Sequence, residues 1–359
     1  MKDFFKELKV VEIASVLAGP ATGLFFAELG AKVIKIENNK TGGDVTRSWK
    51  LASEDSNDPH SAYYYSVNLL KEVVFADFSV SQDLKMVLGL IKDSDIVIVN
   101  FKKGDDKKFG LDHKTLSALN KGIIYASISG FGNEDERLAY DLILQAESGF
   151  MSMNGTPESG PLKMPVALID LMAAHQLKEG ILLALLHKMK TGIGARVSVS
   201  LYDAARASLA NQASNWLNAG FLPGLQGSLH PNIAPYGEIF LSSDNCALTF
   251  AIGNDKQFFS LCDLLQKPEL KEAESFHSNK KRVENRLKLK KILSAGIKLF
   301  TIDYLRQNSI KNQIPFAEIK KLDKVLDGSC SEELFIQKKI GEKNIRTVKS
   351  FIATLNINN

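Results

Sequence analysis

The sequence feature that most constrains the fold is an alternation of strand-like and helix-like segments over the first 200 residues. The run "KVVEIA" at 9–14 and the run "AKVIKIE" at 31–37 are rich in β-branched residues, and residues 22–30 between them have helical spacing and end at a Gly. The same order continues with a helix at 85–93, a strand at 95–101, a helix at 113–121, a strand at 122–130, a long helix at about 171–190 and the strand "RVSVSL" at 196–201. Strands that alternate with helices predict an open, mostly parallel α/β sheet.

The amino-acid composition of the chain changes near residue 220. The stretch "GFLPGLQGSLHPNIAPYG" at 220–237 is rich in Gly, Pro, Asn and Ser, which is typical of a long loop at a domain boundary. After it, "EIFLSSDNCALTFAIG" predicts a hairpin of two strands and "DKQFFSLCDLLQ" predicts a helix. A second, smaller α+β domain is therefore expected, extending to about residue 310.

Charge and composition exclude several classes of protein. The net charge of +4 comes from 45 basic and 41 acidic residues that are mixed along the chain, so no nucleic-acid partner is expected. The longest apolar runs are too short to span a membrane, and the N-terminal segment has no apolar leader, so we expect a cytoplasmic protein. The basic run at 280–300 is interpreted as a solvated helix face, with membrane-surface or calmodulin-type binding as the alternative.

The three cysteines, Cys246, Cys262 and Cys330, are widely separated in the sequence. This spacing indicates neither a disulfide framework nor a zinc site, and buried or idle thiols are expected. No metal ligand set is predicted from the sequence.

The loops that follow the predicted strands contain the most unusual residues. Since an open α/β sheet binds ligands beyond the carboxyl ends of its strands, small residues there, such as Gly19, Gly42 and Gly132, suit close approach of a nucleotide. The dinucleotide fingerprint GxGxxG and the phosphate loop GxxxxGK[ST] are both absent. On the residues alone, ordinary α/β loops are an equally good interpretation.

Several longer motifs, in one order along the chain, resemble a known family. The stretches "VVEIASVLAGPATGLFFAELGAKVIKIE", "GGDVTR", "IVIVNFKKG", "YASISGFG", "AYDLILQAESGFMSMNG" and "HKMKTGIGARVSVSLYDA" resemble the family III coenzyme A transferases. That group includes formyl-CoA:oxalate and carnitine CoA-transferases and the related 2-methylacyl-CoA racemases.

The resemblance implies a Rossmann-like open sheet, a smaller α+β domain and an interlocked homodimer. Its domain boundaries would be 1–205 for a large CoA-binding domain, 206–225 for a linker, 226–310 for the small domain and 311–324 for a return linker, with 325–359 returning to the large domain. The partners that it implies are an acyl-CoA and a small carboxylic acid, with CoA as a substrate and no tightly bound cofactor.

Asp170 interrupts the apolar run "VALIDLMAAHQ" just before the long helix. On the residues alone, an Asp in this position is a helix N-cap. The resemblance implies that it is the nucleophile, which would form an aspartyl-acyl anhydride and then an aspartyl-CoA thioester. Because the helix N-terminus favours negative charge, we expect its carboxylate to be ionised at neutral pH and to act also as the cap.

The resemblance also implies a set of CoA contacts. Lys108 and Phe109 replace an Arg-Met pair of the related transferases. Lys71 is kept, although Glu72 stands where Arg is usual. Asn38 stands where the oxalate enzymes have a basic residue. Lys40 or Lys103 could compensate for these losses. The residues assigned to CoA are Val16, Leu17, Ala18, Asn38, Lys71, Asn100, Phe101, Lys108, Phe109 and Arg137.

The acyl and acceptor site is assigned by the same resemblance to Trp49, Tyr63, Tyr140, Gly227 and His230. The loop at 224–232 lacks the glycine run of the oxalate enzymes, so the acid is not expected to be oxalate. Tyr140 stands where the racemases have a catalytic His, which disfavours racemisation, while Glu238 matches a racemase acid and keeps that alternative open. A CoA-binding protein without turnover is the second alternative.

Overall fold

The computed structural model describes residues 3–328 and 331–355. Strands, numbered in chain order, are β1 Lys9–Ile13, β2 Lys32–Asn38, β3 Glu72–Ala76, β4 Ile96–Val99, β5 Ile124–Ser129, β6 Gly155–Thr156, β7 Gly160–Pro161, β8 Arg196–Ser200, β9 Tyr236–Leu241, β10 Ala247–Ala251, β11 Phe316–Glu318, β12 Phe335–Ile340 and β13 Lys343–Val348. They confirm the predicted runs at 9–14, 31–37, 95–101, 122–130 and 196–201 to within a few residues.

Helices alternate with the strands in the first half of the chain. They are α1 Ala18–Glu28, α2 Ala62–Asn68, α3 Ser81–Lys92, α4 Asp105–Lys108, α5 His113–Leu119, α6 Asp141–Glu147, α7 Phe150–Met153, α8 Leu168–Thr191, α9 Leu201–Ala207, α10 Ala210–Ala219, α11 Asp255–Leu264, α12 Glu269–Glu272, α13 Asn279–Glu284, α14 Arg286–Ile297, α15 Ile302–Lys311 and α16 Leu322–Val325.

The described chain divides into two compact units. Unit 1 consists of the described residues within 1–151, 163–219 and 331–359, and unit 2 of those within 152–162 and 220–330. Segment 206–225, expected as a linker, contains α10, and segment 311–324, expected as a return linker, contains the strand β11.

Unit 1 is built on a six-stranded parallel sheet in the order β3-β2-β1-β4-β5-β8. All four residues of β4 are buried, as expected for a strand covered on both faces. One face packs against α1, α8 and α9 through side chains such as Phe26, Ile98 and Leu177, and the other against α3 and α5 through side chains such as Val97 and Leu116. The predicted open α/β sheet is confirmed.

The strand order of unit 1 reverses between β1 and β4. Strands β2 and β3 lie on one side of β1, whereas β4, β5 and β8 follow on the other. The connections after β1 and β4 therefore leave the sheet in opposite directions and open a crevice at its carboxyl edge, which is where doubly wound sheets bind ligands.

Unit 2 contains a three-stranded antiparallel sheet in the order β11-β10-β9, as well as the short ribbon β6-β7. Its core is formed by side chains of the sheet and of α11, α14 and α15, including Phe250, Phe258, Leu293 and Leu305. The hairpin and the helix predicted after residue 236 are confirmed as β9, β10 and α11.

Candidate active site

The two loops at the reversal of strand order are tied to each other by one side chain. Asn100, directly after β4, accepts a hydrogen bond from Ser15 N at 3.1 Å through Oδ1 and donates to Ser15 O at 3.0 Å through Nδ2. Both backbone groups of Ser15 are thus engaged by a residue of the neighbouring loop. Asn100, which was predicted to contact CoA, holds the loop that enters α1.

Val16, the next residue of this loop, has a left-handed backbone conformation with φ of 72°. A β-branched residue rarely adopts this conformation, which costs on the order of 1–3 kcal/mol and persists where the surroundings enforce it. Val16 N donates to both carboxylate oxygens of Asp44, at 3.2 and 3.4 Å. Asp44 is in turn paired with Lys35 at 3.0 Å, and this pairing helps to hold its pKa below the usual value despite burial.

A buried group of four charges lies beneath this loop. Lys35 pairs with Glu12 and Asp44, and Lys71 pairs with Glu12 at 2.7 Å, so two cations and two anions compensate each other. Lys71 also donates to Pro20 O at 2.8 Å and is buried. These partners enclose the Lys71 ammonium, and the assignment of Lys71 to CoA stays a prediction.

An aromatic surface follows β4. The ring of Phe78 lies 6.5 Å from that of Phe101 and 5.5 Å from that of Phe109, and both partners are partly buried. Lys108 lies with Nζ 5.1 Å from the centre of the Phe109 ring. The structure therefore brings together three of the residues that were predicted to contact CoA.

The other basic residues that were considered for binding CoA phosphates form ion pairs with neighbouring acidic residues. Arg137 forms ion pairs with Asp135 at 2.9 Å and Glu147 at 2.8 Å, and its guanidinium lies over the Phe131 ring. Lys40 pairs with Asp77, and Lys103 with Glu136.

Asn38 ends β2 and caps a turn of 3₁₀ helix by accepting from Lys40 N at 2.9 Å. Its side chain thus serves the local turn. Glu72, next to Lys71, is exposed and pairs with Lys32 at 3.1 Å.

Asp170 lies in the first turn of α8 and is not its N-cap. The helix begins at Leu168, three residues earlier than predicted, and the residue before it, Ala167, has no side chain that could cap it. Asp141 at the start of α6 provides the acceptor instead, because its Oδ1 accepts from Ile169 N at 2.7 Å and from Asp170 N at 3.4 Å. The expected capping role of Asp170 is therefore wrong.

The environment of Asp170 opposes ionisation. Its side chain is 7% exposed, and no described residue donates a hydrogen bond to its carboxylate. Burial raises the pKa of Asp170 to about 7, and the nearby Asp141 carboxylate adds to the rise. The expectation of full ionisation at neutral pH is thus corrected, since the peptide N–H groups that would have lowered the pKa are engaged by Asp141.

Several predicted site residues meet at the start of α8. Val16, Leu17 and Tyr63 belong to one apolar cluster with Leu171, and Ala18 is buried at the first position of α1. Trp49 packs edge-on against Tyr63 with ring centres 5.2 Å apart. Burial raises the pKa of Tyr63 to about 12, with a further contribution from Asp170, so its hydroxyl stays protonated at neutral pH.

The remaining predicted residues lie elsewhere. Tyr140 is 54% exposed and precedes Asp141. Gly227 and His230 belong to unit 2, where Gly227 N donates to Gly155 O at 2.6 Å and the His230 ring packs on Tyr236. Glu238 is buried in the same unit and pairs with Arg286 at 3.2 Å.

Three residues around the site were missed by sequence reasoning. These residues, Asp44, Asp141 and Gln145, were not assigned to the site from the sequence. Asp141 lies 28 residues before the peptide N–H that it binds most closely, so no local pattern signals the contact.

No described segment suggests a metal site or a membrane span. Within residues 3–328 and 331–355, no group of three or more His, Cys, Asp or Glu side chains could hold a metal ion. None of the helices there is both long and apolar enough to cross a membrane. Cys246 and Cys262 are free thiols, burial raises the pKa of Cys262 to about 12, and Cys330 lies outside the described residues.

Comparison with known proteins identifies the family. The chain is 35% identical to a succinate–glutarate CoA-transferase of Agrobacterium fabrum over 94% of this chain and 83% of that protein, and 30% identical to a succinyl-CoA:mesaconate CoA-transferase of Haloarcula hispanica over 89% and 81%. The crystal structure of a CaiB/BaiF family protein from Brucella suis superimposes with a TM-score of 0.81 at 34% identity, over 97% of this chain and 91% of that one. Residues 5–356 match the CoA-transferase family III. The chain is therefore a member of CoA-transferase family III, an enzyme that transfers coenzyme A.

Proposed function

We propose that this enzyme transfers CoA from the thioester of a small dicarboxylic acid to a second small dicarboxylic acid through covalent intermediates on Asp170. The observation that carries the proposal is the buried Asp170 carboxylate, which lacks a hydrogen-bond donor and lies beside the loop at the reversal of strand order. The names of the two relatives above support the substrate class, since succinate, glutarate and mesaconate are all dicarboxylates.

The reaction is a sequence of acyl transfers in which atoms and charge balance. The Asp170 carboxylate attacks the thioester carbonyl, the C–S bond breaks, and an aspartyl-acyl anhydride and CoA thiolate result. The thiolate attacks the aspartyl carbonyl, which releases the donor acid and leaves an aspartyl-CoA thioester. The acceptor carboxylate then displaces the thiolate to form a second anhydride, and attack of the thiolate on the acceptor carbonyl gives the new acyl-CoA and regenerates Asp170.

The environment of Asp170 suits this chemistry. A carboxylate without hydrogen bonds is poorly stabilised and therefore more nucleophilic, and with a pKa of about 7 roughly half of the Asp170 carboxyl groups are still ionised at neutral pH. No described residue hydrogen-bonds the Tyr63 hydroxyl, so this protonated phenol is available to donate to a carbonyl or carboxylate oxygen of the substrate.

CoA binds as a substrate at the carboxyl edge of the unit 1 sheet. Val16, Leu17 and Ala18 form the loop that receives it, and Phe101 and Phe109 offer apolar surface. The exposed Lys108 faces its phosphates, and Arg137 joins it by exchanging its ion pairs with Asp135 and Glu147 for a phosphate. Trp49, Tyr63 and Tyr140 border the acyl group and the acceptor acid. Two copies of the chain form an interlocked homodimer.

The relatives favour transfer over racemisation, because both are named as CoA-transferases. Racemisation would need a base in addition to Asp170. Glu238, the residue that matches a racemase acid, is buried and paired with the partly buried Arg286 within unit 2.

Replacement of Asp170 tests the proposal. Asp170→Asn and Asp170→Ser should abolish exchange of CoA between succinyl-CoA and glutarate, because an amide or an unactivated hydroxyl cannot form and recycle the anhydride. Hydroxylamine added to the unmodified enzyme with succinyl-CoA should convert Asp170 into a hydroxamate, which mass spectrometry would detect on the peptide 166–176.

Asp203→Asn is a matched control. Asp203 lies in the first turn of α9 in the same unit but is exposed, so its replacement should leave transfer unchanged. Full transfer by Asp170→Asn, without a hydroxamate on the peptide 166–176 of the unmodified enzyme, would overturn the proposal.

A further inference from the structure

A chain of hydrogen bonds connects α6 to the segment that enters α8. Gln145 is 1% exposed, and its Oε1 accepts from Met164 N at 2.7 Å. Its Nε2 donates to Asp141 Oδ2 at 2.6 Å, and Asp141 Oδ1 accepts from Ile169 N and Asp170 N. Two side chains of α6 thereby fix both ends of the segment 164–170.

The same contacts complete the hydrogen bonding of the first turn of α8. Leu168 N donates to Val166 O at 2.8 Å, Leu171 N donates to Ala167 O, and the two N–H groups between them have Asp141 as their acceptor. The Asp170 carboxylate is not an acceptor for any of these groups. A carboxylate in the first turn of a helix is ordinarily stabilised by such groups and by the helix dipole.

The charged and titratable groups around Asp170 reinforce this arrangement. Asp141 faces it from α6 and Tyr63 from α2. No Lys, Arg or His among the described residues forms an ion pair with Asp170, whose raised pKa has burial as its main cause and Asp141 as the second. The Asp170 carboxylate therefore has a like charge beside it where a helix N-terminus alone would favour its ionised form.

We propose that Asp141 is a positioning residue for CoA transfer, which binds the N–H groups at the start of α8 and also places its own negative charge beside Asp170, so that the Asp170 carboxylate is left unstabilised and reactive. This inference rests on the proposed function of Asp170. It gives the two carboxylates separate roles, since Asp141 holds the helix end and Asp170 performs the chemistry.

The pH profile of Asp141→Asn distinguishes this role from simple capping. Asn is as good a cap as Asp, so α8 should keep its start, but the negative charge beside Asp170 is lost. The pH at which kcat/KM for succinyl-CoA is half-maximal should fall by roughly one unit. The maximal kcat should fall severalfold, because a better stabilised carboxylate is a weaker nucleophile. Asp141→Ser, also a good cap without charge, should shift the midpoint in the same direction and provides the test if the Asn variant does not fold.

Asp244→Asn is the matched control. Asp244 belongs to unit 2, and its Oδ1 accepts a hydrogen bond from Ile302 N at the start of α15, across 58 residues of sequence. Asp244 thus binds a helix N-terminus as Asp141 does, but on a helix of the other unit. This variant should keep the midpoint of the unmodified enzyme. An unchanged midpoint and kcat in the folded Asp141 variants, with Asp170→Asn inactive, would overturn this inference alone. Transfer by Asp170→Asn would instead overturn the proposed function.

Discussion

Two aspartates near one helix end show how position decides the behaviour of a residue type. Asp141 accepts hydrogen bonds from the first turn of α8, whereas Asp170, which is part of that turn, accepts none from any described residue. Similarly, Lys71 is enclosed by Glu12 and backbone, whereas Lys108 is on a short, unburied helix. Residue identity alone did not separate these pairs.

The raised pKa of Asp170 predicts a pH-dependent cost in stability. Since its pKa is about 7 in the folded enzyme and about 4 in an unfolded chain, the folded state binds more protons between these values. Because the fold favours the protonated Asp170 carboxyl, this group contributes stability that is fully present below about pH 4 and is lost as the pH rises through 7. Asp170→Asn cannot ionise, so its stability relative to the unmodified enzyme should increase by a few kcal/mol, at about 1.4 kcal/mol per pKa unit, from pH 4.5 to pH 8.

Urea denaturation at these two pH values measures the difference. The other carboxylates titrate in both proteins and cancel in the comparison. A stability difference between the two proteins that is the same at pH 4.5 and pH 8 would show that the Asp170 carboxyl is not perturbed by the fold.

At the scale of elements, the sequence predicted the parts that are built from buried apolar runs. β1, β2, β4 and β5 were recognised because their side chains are mostly buried between two layers of helices. The edge strand β3 was missed, and so was the hairpin of β12 and β13, whose outward-facing residues include several lysines. β12 and β13 lack the continuous apolar run that identifies a central parallel strand, whereas β3, with the sequence EVVFA, contains one, and this reason does not explain its omission.

The candidate site was predictable in its loops but not in its contacts. The loop after β1 and the Asn-Phe pair after β4 followed from sequence motifs, and the structure ties them together through Ser15 and Asn100. The Asp44 contact to Val16 spans 28 residues and the Asp141 contact to Ile169 also spans 28, so each depends on how elements pack. Such tertiary hydrogen bonds leave no periodic signal in a sequence.

The close packing of α1 on β1 predicts a severe effect of a methyl group at Gly23. A Cβ at this position would lie 1.9 Å from Glu12 Oε2, which is buried and bound to Lys71. Because the carboxylate cannot move without breaking that ion pair, Gly23→Ala should lower the free energy of unfolding by about 1–3 kcal/mol or more, despite the better helix propensity of Ala.

Gly89→Ala is the matched control for this substitution. Gly89 lies within α3, and a Cβ there would meet no atom within 4 Å. The control should therefore raise the free energy of unfolding by about 0.5–1 kcal/mol. Equal effects of the two substitutions in chemical denaturation would contradict the packing argument.

At the scale of the whole molecule, the apolar surface of unit 1 supports the proposed homodimer. Leu183, Leu186 and Met189 on α8 are exposed, Met189 by 82%, and Trp216 and Leu217 on α10 are exposed as well, Leu217 by 77%. Large apolar side chains that are exposed on two helices of one unit favour an interface with another chain. In an interlocked dimer a second copy of the chain would cover them.

An interlocked dimer cannot separate without unfolding, which predicts its response to dilution. Sedimentation at nanomolar concentration should give a single folded species of about twice the chain mass of 39.6 kDa, because dissociation would require both chains to open.

Leu217→Glu, which places a charge in the proposed interface, should lower the dimer yield on refolding, whereas Leu287→Glu, at an exposed position of α14 in unit 2, should not. A folded monomer of the unmodified enzyme at nanomolar concentration would contradict the interlocked assembly, and the exposed leucines of α8 and α10 would then need another partner.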